Sequence, residues 1–115
     1  MRFSAVVLIV PEEDENRAVD ILKEAGATGI TILKGKGLRQ NDRKTFLGLG
    51  LERKESLLLC VVEKQLAMRI LKAVKMQMRL DLPGGGLAFS LPLGSVIGIG
   101  LAQMETFRHG VEGEL

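Results

Sequence analysis

The stretch Leu82-Pro-Gly-Gly-Gly-Leu-Ala-Phe-Ser-Leu-Pro-Leu-Gly-Ser-Val-Ile-Gly-Ile99 runs three successive glycines straight into an apolar segment that stops at Pro92. Residues 87–91 read as a short strand, and this strand completes the order of elements along the chain. Glycine has no Cβ, so Gly84, Gly85 and Gly86 can take positive φ, approach other atoms closely, or present consecutive N–H groups to an anion. The triplet is either a tight connection or a binding loop, and its residues alone support both.

Just before it, Leu66, Ile70, Val74 and Met78 recur every four residues, joined by Ala67 and Leu71, which predicts an amphipathic helix. Met68, Met76 and Met78 read as packing residues of that helix. Residues 56–62 (Ser-Leu-Leu-Leu-Cys-Val-Val) and residues 3–10 are apolar runs, each predicted to be a strand buried on both faces. Pro11 ends the earlier one because proline cannot donate to a ladder. Glu12-Glu13-Asp14-Glu15 then places negative charge where a helix macrodipole favours it. Ala18, Ile21, Leu22 and Ala25 form the stripe of that helix, and Gly26 suits a left-handed cap. Residues 28–34 are β-branched and predict another strand, loosened at its end by Gly35 and Gly37. Residues 38–54 are polar and basic and read as a long flexible loop. Residues 95–101 read as a turn or short strand, and residues 105–115 as a polar, mobile tail.

The order β-α-β-β-α-β predicts an α+β, ferredoxin-like fold: a four-stranded antiparallel sheet with both helices on one face and the first and third strands at its centre. Nothing in the sequence covers the other face. Leaving it in water costs roughly 25 cal/mol per Å² of apolar area, so copies of the same chain are expected to cover it, as a cyclic trimer or a back-to-back dimer.

At 115 residues the chain suits one domain, and 46% apolar residues exclude general disorder. It has no Trp or Tyr, only Phe3, Phe46, Phe89 and Phe107, and a net charge of +2, which argues against nucleic-acid binding. The lone Cys60 permits no intrachain disulfide and reads as a core residue, which points to a reducing, cytoplasmic setting. The first apolar run is too short to span a bilayer. No His–carboxylate pair or activated nucleophile can be assembled, and His109 has no second ligand at metal spacing, so neither catalysis nor a metal site is expected.

Two separated stretches resemble the PII nitrogen-regulatory signalling proteins. Ala25-Gly-Ala-Thr-Gly-Ile-Thr-Ile-Leu-Lys-Gly-Lys-Gly-Leu-Arg-Gln40 is similar to the family's second-strand segment, TGxTVxEVKGxGRQ, which leads into its T-loop. Residues 80–99 resemble the family's B-loop and following strand. The resemblance implies a non-enzymatic homotrimer without a prosthetic group. It implies effectors such as ATP, ADP, AMP or 2-oxoglutarate in clefts between subunits. It also implies a T-loop over residues 38–54 whose ordering an effector biases, and which docks on a membrane transporter or a nitrogen-assimilation enzyme. On this reading residues 1–104 are the PII-like domain. Gly35, Gly37, Arg39, Gln40, Gly84, Gly85, Gly86 and Leu87 contact the effector, and Arg43, Lys44, Phe46 and Leu47 meet the partner.

The chain departs from the family pattern at charged positions. Gly85 stands at the B-loop aspartate, Leu87 at the phosphate-contacting lysine, and Gly98 and Gly100 at two arginines. A phosphate would then rest on backbone N–H groups, with Arg39, Arg43 or Arg108 as substitute cations. The loop has no Tyr to accept uridylylation. Two other readings stand beside this one: a ferredoxin-like trimer of a metal-tolerance or structural class, and a small enzyme built on the glycine loop.

Overall fold

The computed structural model describes residues 2–38, 45–46, 49–50, 53–82 and 84–98. Strand β1 (Phe3–Pro11) runs through a single 3-10 turn (Glu12–Asp14) into helix α1 (Glu15–Ala25), followed by β2 (Thr31–Gly37). Short strands β3 (Thr45–Phe46) and β4 (Leu49–Gly50) precede β5 (Arg53–Glu63), helix α2 (Lys64–Met78) and β6 (Leu87–Leu93). The main sheet has the order β2-β5-β1-β6 with every neighbouring pair antiparallel. The ferredoxin-like architecture expected from the element order is the one that forms, with β1 and β5 at the centre.

The β1–β5 register sets Val6 opposite Cys60 and Leu8 opposite Leu58. The same side of these strands faces the helices, where Val6, Leu8, Leu58 and Cys60 are buried with Ile21 and Leu22 of α1 and Ile70 and Val74 of α2. Burial pushes the Cys60 thiol up to about 11, so it stays protonated and acts as a small apolar core group. Helix α1 ends as its sequence predicts. Gly26 takes φ 116°, the Ala27 N–H donates to Leu22 O at 2.9 Å and the Gly26 N–H to Lys23 O at 3.0 Å. This paired closure satisfies carbonyls the helix leaves open. Helix α2 ends instead on Arg79, a non-glycine residue at φ 49°. The Arg17 guanidinium of α1 donates to the Gln77 carbonyl there, placing a cation at the negative end of α2.

Several boundaries differ from the sequence reading. Strand β2 begins three residues later than expected and includes Gly35 and Gly37, because β5 supplies ladder partners as far as Gly37↔Arg53. Strand β5 correspondingly starts at Arg53, inside the stretch read as loop, and β3 and β4 form a small ladder within that stretch. The strand read as ending at residue 91 runs on through Pro92 to Leu93. It pairs only with β1, and an edge strand tolerates proline. Met78 is buried, but Met68 and Met76 are exposed and pack no core, because they project from the side of α2 opposite Ile70 and Val74.

The sheet face away from the helices is apolar, with Ala5 and Val7 buried at its centre and exposure rising toward its edges. Val7 lies at its centre with Phe89 opposite on β6 and Leu59 opposite on β5. Toward the edges Leu33, Leu87 and Leu91 are 55%, 54% and 50% exposed. On the covered side, Leu58→Ala is expected to leave a cavity and cost about 2–5 kcal/mol, read as a lower urea midpoint with an unchanged m-value.

Candidate functional site

The antiparallel register brings four chain segments to one end of the sheet. Pro11 lies opposite Glu55, Ile9 opposite Leu87, and Gly37 opposite Arg53. The end of β1, the start of β5, the end of β2 and the entry to β6 therefore share one rim. The glycine turn sits on that rim and is packed too tightly for side chains. A Cβ on Gly85 would lie 2.7 Å from Arg79 O, and one on Gly86 2.5 Å from Ile9 O. Gly84 and Gly86 also take φ of 79° and 120°, which disfavours other residues. The Gly85 N–H donates to Leu82 O at 3.0 Å, closing the turn.

Arg53 meets one glycine-bearing segment by its backbone register and the other by its side chain, while the Glu55 carboxylate lies over Gly37. The Arg53 side chain leaves β5 opposite Gly37 and donates from Nη2 to Gly84 O at 3.3 Å. A guanidinium has five N–H donors, so this one bond leaves capacity for an anion. Arg53 was absent from the sequence-derived site. Its only signal was its place in the basic run just ahead of the apolar strand, and nothing local distinguished it from Lys54.

Three residues further along β5, a polar network stiffens the same end of the sheet. Ser56, fully buried, donates from Oγ to Glu15 Oε1 at 2.7 Å. Lys34 of β2 forms an ion pair with Glu15 and a longer one, 3.6 Å, with Glu12. The network ties the start of α1 to β2 and β5. The Lys34 hydrogen bond, then the Ser56 hydroxyl, holds the Glu15 carboxyl below its ordinary 4.5. Glu15 in turn raises Lys34 above 10.5, with Glu12 adding to the effect. The four groups were legible singly, but not as a cluster.

Of the expected effector residues, Gly35 and Gly37 lie inside β2 rather than in a loosened end, and Gly84, Gly85 and Gly86 form the turn. Leu87 opens β6 as an exposed apolar residue beside that turn. Gly98 follows β6 at φ 93°. Phe46 belongs to β3, paired with Leu49. Arg39, Gln40, Arg43, Lys44, Leu47, Gly100, Arg108, His109 and the segment 105–115 lie outside the described residues. Among the described residues no group of three His, Cys, Asp or Glu could hold a metal ion.

The network has a pH signature. Glu15 has a lowered pKa in the folded state, so its ionised form stabilises the fold above the unfolded value near 4.5, and that contribution is lost as pH falls through the folded value. The melting temperature of the wild type is expected to fall more steeply below that pH than that of Glu15→Gln. Parallel acid limbs in thermal scans of the two proteins would exclude this role.

A family model described as nitrogen regulatory protein P-II matches residues 3–102. Among solved structures, a PII-like signalling protein from Thermus thermophilus superposes with a TM-score of 0.60 at 20% identity, over 81% of this chain and 88% of that one. The B. subtilis GlnK–ATP complex gives a TM-score of 0.62 at 17% identity, over 84% and 85%. A CPII from Thiomonas intermedia, bound to ADP and bicarbonate, gives 0.59 at 17% identity, over 83% and 91%. At these identities the superpositions speak for a shared fold. No curated protein matches the chain.

Proposed function

The chain belongs to the nitrogen regulatory protein P-II family, and from that premise we propose that it is a cytoplasmic, non-enzymatic signalling protein that reads an anionic effector at the glycine rim. The observation that carries this reading is the meeting of Gly37, Arg53 and the turn Gly84–Gly86 at one end of the sheet. Members of the same fold carry adenine nucleotides: GlnK of B. subtilis with ATP and the Thiomonas CPII with ADP and bicarbonate. The effector class proposed here is an adenine nucleotide, with 2-oxoglutarate as a second candidate.

The family's cleft lysine and arginines are replaced here by Leu87, Gly98 and Gly100. Arg53 is the proposed substitute, supplying charge-assisted bonds beside the turn. Arg39, Gln40 and Arg43 would complete the site from the neighbouring segment. Assembly follows from the open sheet face. Three copies placing Leu33, Leu87 and Leu91 against one another would remove exposed apolar surface from water and create the inter-subunit clefts. Residues 38–54, with Arg43, Lys44, Phe46 and Leu47, would carry the effector's signal to a target, a membrane transporter or a nitrogen-assimilation enzyme.

Light scattering is expected to give a mass near three times 12.5 kDa, and Leu59→Lys to reduce it to that of the single chain. A wild-type monomer would defeat the proposed assembly. Titration calorimetry with ATP, ADP, AMP and 2-oxoglutarate is expected to detect at least one adenine nucleotide. Arg53→Ala should weaken that binding about 10-fold or more, as the loss of a charge-assisted bond requires. Arg53→Lys should recover part of it. Heat from none of the ligands would refute the effector reading, and equal affinity in Arg53→Ala would refute the role of Arg53 alone.

A further inference from the structure

We propose that the outward face of α2 seats the protein on an anionic lipid surface, a property separate from the effector reading. Helix α2 buries Ala67, Ile70, Val74 and Met78 against the sheet. At about 100° per residue, the opposite arc is occupied by Gln65, Met68, Arg69, Lys72, Lys75 and Met76, with Arg79 just past the helix end. All are exposed, Met68 by 62% and Met76 by 74%. Between Glu63 and Asp81 the chain carries no acidic residue. None of these cations takes part in an ion pair among the described residues.

The charge is concentrated on this helix. Its neighbour α1 exposes Asp20 and Glu24 beside Arg17 and Lys23, a mixed surface that offers an anion no comparable site. Helix α2 covers β1 and the edge strand β6. Its outer flank is thus a convex ridge at the margin of the helix layer. A convex ridge gives an acidic peptide no groove walls, whereas a bilayer interface deforms around it. The two methionines are the second component. Flexible apolar thioethers set among cations can enter the acyl boundary while Lys and Arg stems lie along it with their charges at the headgroups. Cations alone would suit any polyanion; cations interleaved with exposed methionine favour lipid.

The test is flotation of the full chain with vesicles of phosphatidylcholine alone and with about 30% phosphatidylserine. Binding is expected only to the anionic vesicles, and to weaken as salt screens the charges. Lys72→Gln/Lys75→Gln should weaken it about 10-fold or more. Met68→Gln/Met76→Gln should weaken it at unchanged net charge. Both variants should keep the wild-type melting curve, since the four side chains are exposed. Absence of binding to phosphatidylserine vesicles at low salt would overturn the proposal. So would equal binding by the lysine variant, indifference to the methionine substitutions, or capture of polyglutamate without capture of vesicles, which would assign the face to an acidic protein segment.

Discussion

A four-stranded sheet has two faces, and the helices described in this chain cover one. The rest of the molecule is arranged around that imbalance. Strands β1 and β5 are the centre of the sheet, and their helix-side residues are buried with those of both helices. Their other side carries Val7 and Leu59 into a surface that continues outward through Leu33, Leu87 and Leu91. Burying the first face drives the single chain to fold. The second face carries its exposed apolar residues toward its edges, at Leu33, Leu87 and Leu91.

The rim shows how a rigid end of a sheet can present a small number of backbone and charged groups. The positive φ values of Gly84 and Gly86, and the backbone carbonyls crowding Gly85 and Gly86, leave room for no side chain. The glycines therefore have a structural reason to be there, independent of any ligand. That requirement is compatible with binding, since a turn held in one shape keeps its N–H groups in one place. Arg53 couples this turn to the end of β2, and the Ser56–Glu15–Lys34 network holds the same strands three residues deeper.

The family match and the structure agree on the frame. At the glycine turn the described cation is the Arg53 guanidinium, which approaches from the start of β5. Of the two helices, α2 carries basic charge along its outside and α1 a mixed surface.

The sequence by itself determined the helices, their buried stripes, the left-handed cap at Gly26 and the βαββαβ order, because these follow from short-range periodicity and local backbone preference. It also placed the apolar strands at the centre of the sheet. It misplaced the ends of β2 and β5, where Gly35 and Gly37 read as loop residues, because the partner strand's ladder sets strand length there, not intrinsic propensity. It assigned Met68 and Met76 to packing because residue type alone does not say which side of a helix meets the sheet. Only the tertiary structure brought Arg53 onto Gly84, across 31 residues of chain. It also gathered Glu15, Lys34 and Ser56 into one network. Contacts between distant segments depend on register and strand order, and no local pattern encodes either.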